Sequence, residues 1–227
     1  MQLITCTLKT NRSNIVFMQT NNSVPSRRGR PPKIARSNAD TRALLINTGL
    51  AVLTEKGFSA TGIDLILKSA QVPKGSFYHY FKSKNDFGLA LIDAYDSYFQ
   101  AKLKRHLTDE KINPLERVVL FANDAKQGMA KFEFNRGCLI GNLNQELSYL
   151  DEPMIDRIKQ AYTSWQALIE QCLIDAKQQK QIPQVSDCKM LAEFFWIGWE
   201  GAVMRSKLDK SSEPLTLYTA QFLRLIL

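Results

Sequence analysis

The fold of this 227-residue chain is decided by the stretch Val72-Pro73-Lys74-Gly75-Ser76-Phe77-Tyr78-His79-Tyr80-Phe81-Lys82-Ser83-Lys84. Pro73 and Gly75 break the helical pattern before them, and a short helix is predicted from Ser76 to Phe81. Upstream, Thr61-x-x-Asp64 has the form of a capping box and opens another short helix. Two short helices joined by a tight turn predict a helix-turn-helix, which places its second helix in the major groove of DNA.

This second helix is predicted to have two different faces. Phe77 and Phe81 lie four positions apart, so we expect both rings to face the core, together with Tyr80. The opposite face is expected to meet the groove and carries Lys74, Tyr78 and His79.

Backbone access to DNA is expected where this helix starts. Gly75 and Ser76 carry no bulky side chain, so the backbone can approach closely and its free N–H groups favour a phosphate. Lys84 begins the next helix, where the helix dipole disfavours a cation by roughly 0.3–1 kcal/mol. A phosphate held between Lys84 and the helix end would remove that conflict.

The rest of the chain after Asp40 is predicted to be helical nearly everywhere, with no strand. A first helix ends at Gly57, which suits a left-handed cap, and a long helix runs from about Lys84 to Leu107. Further helices are expected to begin near Pro114, Cys138, Pro153, Asp187 and Pro214. The sequence therefore predicts an all-α protein.

The positive charge is concentrated at the front of the chain. The net charge is +8, of which residues 1–39 contribute +7, residues 40–107 contribute +3, and the remainder contributes −2. Residues 1–39 lack apolar periodicity and are predicted to be a disordered arm. Within it, Arg28-Gly29-Arg30-Pro31 resembles an AT-hook, whose arginines enter the A·T minor groove. The alternative is a solvated basic tail that only attracts phosphates.

The composition excludes several other classes of protein. No apolar run approaches the ~18 residues of a membrane span, so a cytoplasmic location without membrane contact is expected. The four cysteines are too few and too scattered for a disulfide framework or a structural metal. We expect free thiols, with Cys172 and Cys188 in the core and Cys6 incidental, and no metal or other cofactor.

Residues 72–84, with Gly57–Thr61 and Ile63, are similar to the recognition region of the TetR family of bacterial transcriptional regulators. The resemblance covers about Thr41 to Tyr95. It implies a helix-turn-helix DNA-binding domain at residues 40–88 and a helical domain at 89–227 that dimerises and binds an effector. It also implies phosphate contacts by Thr41, Thr61, Tyr78, His79 and Lys84, and base contacts by Lys74, Gly75 and Ser76. The partners implied are a second copy of the chain and a palindromic double-stranded operator.

A candidate sensor lies at Arg136-Gly137-Cys138-Leu139, where a cysteine starts a predicted helix beside an arginine. Both the N-terminus of a helix and a nearby cation lower the pKa of a thiol. The segment resembles a TetR subgroup, the electrophile- and oxidant-sensing repressors of N-ethylmaleimide reductase operons, as do Glu146, Leu150 and residues 204–215. In that subgroup the oxidised cysteine reacts with a lysine, which implies Cys138 and Lys207 here. Acrylate-responsive repressors carry a similar region and answer to a small unsaturated acid.

Three other interpretations remain open from the residues alone. Cys138 could be structural, with a non-covalent ligand relieving repression. The chain could be an architectural protein that binds DNA without sequence specificity. It could also be a thiol enzyme that pairs Cys138 with His79 or His106. The distance in sequence between the cysteine and both histidines disfavours the enzyme. The chain is expected to dimerise through the two long rear helices, with Trp165 and Phe195 among the buried residues.

Overall fold

Nine α-helices and one 3-10 helix form the part of the chain that the computed structural model describes, residues 38–227. They are α1 (Asn38–Lys56), α2 (Ile63–Ala70), α3 (Lys74–Tyr80), α4 (Lys84–Leu107), α5 (Pro114–Ala130), α6 (Leu139–Asn144), the 3-10 helix Leu147–Tyr149, α7 (Glu152–Gln178), α8 (Cys188–Asp209) and α9 (Glu213–Ile226). No strand occurs in these residues, and the predicted all-α fold is confirmed. Arg28, Arg30 and Cys6, with nearly all of the predicted arm, lie outside the described residues.

The end of α1 follows the prediction, whereas the start of α2 does not. Gly57 has φ +84°, the left-handed conformation that favours glycine, and its amide donates to the carbonyl of Leu53 at 3.0 Å. The Thr61 hydroxyl is fully buried and donates to the Gly57 carbonyl at 2.7 Å. The predicted capping box is therefore wrong, because the Thr61 hydroxyl is hydrogen-bonded within the loop and α2 begins two residues later.

Aromatic packing joins the first three helices to the start of α4. Phe77 is fully buried, and its ring centroid lies 5.3 Å from those of Phe81 and Phe87. Phe81 and Phe87 are themselves 4.8 Å apart. This confirms that Phe77 and Phe81 face the core, and it fixes the orientation of α3 relative to α4.

The rear helices pack around a large aromatic core. α4 contacts α5 and α7, and α8 lies between α7 and α9. The core rings belong to Phe99, Phe121, Trp165, Phe195, Trp196 and Trp199. Trp165 and Phe195 are fully buried within one copy of the chain, so they are core residues and have no surface to offer to a second copy.

None of the helices in residues 38–227 is both long enough and apolar enough to cross a membrane. Within residues 38–227, no group of three or more histidine, cysteine or acidic side chains is gathered closely enough to hold a metal ion.

Candidate nucleic-acid interface and sensor site

The turn between α2 and α3 exposes the start of α3. Gln71 ends α2 in the left-handed conformation, and Pro73 caps α3, so α3 begins at Lys74 rather than at Ser76. The space around Gly75 is open, since a Cβ there would meet nothing within 4 Å. The backbone at this point is free to approach a ligand closely.

The predicted DNA contacts fall into two groups. Lys74, Gly75, Tyr78 and His79 are exposed on α3, and Tyr78 is 51 % exposed. Ser76, Thr41 and Lys84 are half-buried. Thr61 stands apart, because its side chain is fully buried and its hydroxyl already donates within the loop. This placement does not support a phosphate contact by the Thr61 side chain.

Lys84 has partners that were not foreseen from the sequence. Its ammonium nitrogen lies 4.4 Å from the centre of the Phe58 ring, a cation–π contact. Burial lowers the pKa of Lys84, and the negative charge of Glu146 partly opposes that change. The unfavourable position of Lys84 at the start of α4 is thus offset within the chain, without a phosphate.

Glu146 holds the loop between α1 and α2. Its Oε1 accepts the backbone N–H of Phe58 at 2.9 Å, and Oε2 accepts that of Ser59 at 2.6 Å. Burial alone would raise the pKa of Glu146, but the hydrogen bonds from Ser59 and Phe58 and the charge of Lys84 outweigh it and lower the pKa. A larger residue in place of Gly57 would displace the Glu146 carboxylate, because a Cβ there would collide with Oε1.

The carboxyl end of α1 is capped by residues from two distant segments. The Thr54 carbonyl accepts the Gly137 N–H at 3.3 Å, the Asn142 Nδ2 at 3.1 Å and the Lys207 Nζ at 3.4 Å. Asn142 also donates to the Leu53 carbonyl at 3.3 Å. Carbonyls in a last helical turn have no partner within the helix, so these donors satisfy them and the Lys207 charge complements the dipole.

Lys207 lies against the segment that precedes α6. A Cβ on Gly137 would come 2.8 Å from Lys207 Cδ, so a larger residue here would displace the lysine stem. Burial lowers the pKa of Lys207, and the nearby charge of Lys210 lowers it further. The lysine therefore touches the residue directly before Cys138.

Cys138 caps α6, and its Sγ accepts the Gly141 N–H at 3.4 Å. The predicted lowering of its pKa is wrong. Burial raises the pKa of Cys138 well above its ordinary value, and the negative charge of Glu200 raises it further. Arg136 does not oppose this, because its guanidinium carbon lies 4.1 Å from the centre of the Phe132 ring. The thiol is therefore protonated at neutral pH.

Glu200 is the acidic partner of Cys138, and its position in the fold was not predicted. It stands alone among apolar residues in Phe194–Val203, which is the signal that could have identified it. Burial raises the pKa of Glu200 to about 7. Burial raises the pKa values of Tyr95 and Tyr162, and the charges of Cys138 and Glu200 raise them further. The candidate sensor site therefore joins α4, α6, α7 and α8.

The other cysteines and histidines within residues 38–227 do not join this site. Cys172 is buried and its thiol donates to the Pro114 carbonyl at 3.2 Å, and Cys188 is also buried, as predicted. His106 lies 2.7 Å from Asp124, and His79 is exposed on α3. Cys138, Cys172 and Cys188 are free thiols.

An apolar stripe runs along the outer face of α8. Ile197 and Leu208 are each 75 % exposed, and the other exposed members at helical spacing are Met190, Phe194 and Met204. Leu217 and Leu225 continue the exposed apolar surface on α9. Contiguous apolar surface of this kind marks a site of association.

Sequence models of two protein families match the chain. One, described as bacterial regulatory proteins of the tetR family, matches residues 45–91. The other, described as a tetracyclin repressor-like C-terminal domain, matches residues 114–222. Both the α2–α3 region and the helices around Cys138 lie within these matches.

Among known proteins, the transcriptional regulator AcuR of Cereibacter sphaeroides is 46% identical over 202 residues, which are 88% of this chain and 92% of AcuR. The HTH-type transcriptional repressor NemR of Escherichia coli is 30% identical over 176 residues, 78% of this chain and 88% of NemR. A crystal structure of regulatory protein TetR from Rhodobacter sphaeroides has TM-score 0.81 and 45% identity, and covers 82% of this chain and 99% of that one. Reduced E. coli NemR has TM-score 0.74 and 30% identity, and covers 83% and 98%.

Proposed function

Because the chain belongs to the TetR family of bacterial regulatory proteins, we propose that it is a repressor that an electrophile, an oxidant or a small unsaturated compound releases from its operator. The proteins to which it is similar are transcriptional regulators. The chain is therefore a DNA-binding regulator rather than an enzyme. The effector acts on residues 89–227, and DNA is bound by residues 40–88.

The exposed start of α3 supports the proposed operator contacts. Lys74, Gly75 and Ser76 reach base edges, whereas Tyr78, His79, Lys84 and Thr41 hold phosphates. A dimer presents two copies of α3 to half-sites roughly 34–36 Å apart, so the operator is palindromic. Equal affinity for operator and random DNA would favour the architectural alternative instead.

The apolar stripe on α8 supports a homodimer built on α8 and α9. Its members are exposed in one copy, unlike Trp165 and Phe195, and a second copy related by two-fold symmetry buries the same stripe on both sides. This differs from the pairing of α7 with α8 expected from the sequence, since the apolar face of α7 is used in the core.

One observation carries the proposed coupling between sensor and DNA-binding helices. Cys138 starts α6, while Asn142 on the same short helix and Glu146 just after it bind the end of α1 and the loop before α2. A shift of α6 therefore moves groups that are hydrogen-bonded to the helix-turn-helix. Modification of Cys138 is the event that shifts it.

Lys207 is the proposed second partner in the oxidant response. A hypohalous acid oxidises the Cys138 thiol to a sulfenic acid. The Lys207 amine then attacks the sulfur, an S–N bond forms, and water leaves. The contact of the Lys207 stem with Gly137 supports this pairing, because it holds the lysine beside the cysteine segment. Capture of the amine would remove its hydrogen bond to Thr54.

The test is operator release by the Cys138→Ser variant. We expect unchanged operator affinity, but no release by hypochlorous acid or N-ethylmaleimide, measured by fluorescence anisotropy on operator DNA. Cys172→Ser is the matched control, because Cys172 is also buried but donates to the Pro114 carbonyl, and it should respond like the wild type. Full release of the Cys138→Ser protein would refute covalent sensing and favour a non-covalent ligand with Cys138 structural.

A further inference from the structure

The Cys138 thiol lies beside two half-buried side chains that can exchange protons, Tyr95 from α4 and Glu200 from α8. Both are close enough to the thiol to affect its pKa, the carboxylate by raising it and the tyrosine hydroxyl by lowering it. Gly141 makes the arrangement possible, because a Cβ there would overlap Glu200 Oε2 and would lie 3.5 Å from the Cβ of Cys138. The carboxylate and the thiol are therefore neighbours at the first turn of α6.

Two polar atoms one turn apart on α8 are buried without a hydrogen-bond partner among the described residues. They are Glu200 Oε1 and Trp196 Nε1. Trp196 is 2 % exposed, and its ring centroid lies 5.2 Å from that of Trp165. Buried donors and acceptors are nearly always paired in folded proteins. The orphaned Trp196 N–H points to a ligand that supplies an acceptor, and the orphaned Glu200 oxygen is available to take up a proton.

We propose that Glu200 takes the proton of the Cys138 thiol when the sulfur adds to an α,β-unsaturated carbonyl compound, the class of effector that this site senses. The inference rests on the function proposed above and deepens it. The thiolate is the nucleophile, whereas Cys138 is buried and protonated. The Glu200 carboxylate lies beside Cys138 at Gly141 and supplies the base that the site otherwise lacks.

The addition needs no oxidant and expels no leaving group. The S–H bond breaks and its proton passes to the Glu200 carboxylate, while the sulfur electron pair forms a bond to the β-carbon. The electrons of the C=C π bond form a double bond between the α-carbon and the carbonyl carbon, and the carbonyl π electrons move onto the oxygen to give an enolate. Glu200 then returns the proton to the α-carbon, so the net change is addition of S–H across the double bond.

The site also holds donors for the enolate oxygen. Burial raises the pKa of Tyr95 and of Tyr162, so both hydroxyls keep their protons at physiological pH and can donate. The orphaned Trp196 N–H is a further donor on the same side of α8. Donors held in a buried site stabilise developing negative charge more strongly than water does.

The basicity of Glu200 suits this role. Burial raises the pKa of Glu200 to about 7, and an acid–base group works best when its pKa lies near the working pH. An exposed carboxylate with an ordinary pKa would be a much weaker base toward a thiol.

The experiment measures the rate at which methyl vinyl ketone modifies Cys138 in the full-length protein, followed by mass spectrometry of the Cys138 peptide. Glu200→Gln should slow the reaction at pH 8 by at least about tenfold. If Glu200 acted only through its charge, its removal would lower the thiol pKa and speed the reaction. An equal or faster rate in Glu200→Gln therefore overturns the inference.

The pH profile provides a readout that needs no variant. The wild-type rate should rise about tenfold per pH unit from pH 5.5 and level off above about 7, as Glu200 ionises. Glu200→Gln should lose this break, and Glu200→Asp should keep it. A wild-type rate that rises without a break up to pH 8.5 overturns the inference even if the variants fail to fold.

Matched controls separate the role of Glu200 from general damage to α8. Glu193 is exposed on the same helix, and Glu193→Gln should leave the rate and its profile unchanged. Gly141→Ala should slow the reaction like Glu200→Gln, because the new methyl group displaces the carboxylate.

Operator release distinguishes a failure of the Glu200 role from a failure of covalent sensing by Cys138. Release by methyl vinyl ketone that is lost in Cys138→Ser but equally fast in Glu200→Gln overturns the role of Glu200 and leaves the proposed function standing. Release that persists in Cys138→Ser overturns covalent sensing itself.

Discussion

Glu146 Oε1 accepts the backbone N–H of Phe58 at 2.9 Å, and this hydrogen bond joins positions 88 residues apart in the sequence. Oε2 accepts the adjacent N–H of Ser59. One carboxylate from the sensor region thus pairs both amides that lead into the helix-turn-helix. Hydrogen bonds to a charged group contribute more to stability than those between neutral groups.

Replacing Glu146 with glutamine should weaken this link without removing bulk. We expect Glu146→Gln to lose roughly 1–3 kcal/mol of unfolding free energy in urea, because one backbone amide then faces an NH₂ group that cannot accept. Glu110→Gln is the control, since Glu110 is exposed. Equal stability of the two variants would contradict the assigned role.

Glu146→Gln should also change how the unfolding free energy depends on pH in the acidic range. The pKa of Glu146 is lowered in the folded state, so its ionised form contributes stability above the ordinary value of 4.5, and this contribution is lost as pH falls through the folded pKa. The stability gap between wild type and Glu146→Gln should therefore be full near pH 7 and shrink below about 4.5.

Lys84→Ala should weaken binding to operator and random DNA alike. Loss of one phosphate contact lowers the slope of log affinity against log salt by about 1. Anisotropy titrations across a salt series give this slope. Lys189→Ala, an exposed lysine on α8, should leave it unchanged. A slope unaltered in Lys84→Ala would mean that the contact with Phe58 is the whole role of this lysine.

Ile197→Asp should convert the dimer to a monomer. The side chain is 75 % exposed in one copy, so the substitution spares the fold but buries a charge wherever the α8 stripe meets its symmetry mate. Sedimentation velocity at micromolar concentration should show the monomer. Val185→Asp, at a 93 % exposed position outside α8, should remain dimeric. A dimeric Ile197→Asp protein would place the interface elsewhere.

Lys207→Met should blunt the response to hypochlorous acid while leaving the response to N-ethylmaleimide intact. Alkylation of Cys138 needs no amine, whereas capture of the sulfenic acid does. Operator release by each reagent, measured in parallel, checks the difference. Loss of both responses would instead indicate that the hydrogen bond from Lys207 to Thr54 is what transmits the signal.

The helix-turn-helix was predictable because its signals are local. Gly57 and Pro73 break the chain where the backbone turns, whereas Gly75 lies inside α3. The spacing of Phe77 and Phe81 indicates which face of α3 is buried. The start of α2 was misplaced because the Thr61 hydroxyl has a second acceptor, the Gly57 carbonyl, that the capping pattern does not reveal.

The sensor chemistry was only partly predictable, because it depends on contacts between distant segments. Arg136 is next but one to Cys138 in sequence, yet its side chain lies on Phe132. Glu200 is 62 positions away and sets the charge around the thiol. The direction of a pKa shift follows from burial and from which groups face each other, and sequence spacing gives neither.

The shared capping of α1 has a consequence for protein engineering. Fusion of residues 38–88 to an unrelated sensing domain would leave the Thr54 carbonyl and the amides of Phe58 and Ser59 without Asn142 and Glu146. The N-terminal helices are thus not an interchangeable cassette. A working chimaera must carry the six-residue helix and its flanking glutamate along with them, so the smallest transferable unit is discontinuous in sequence.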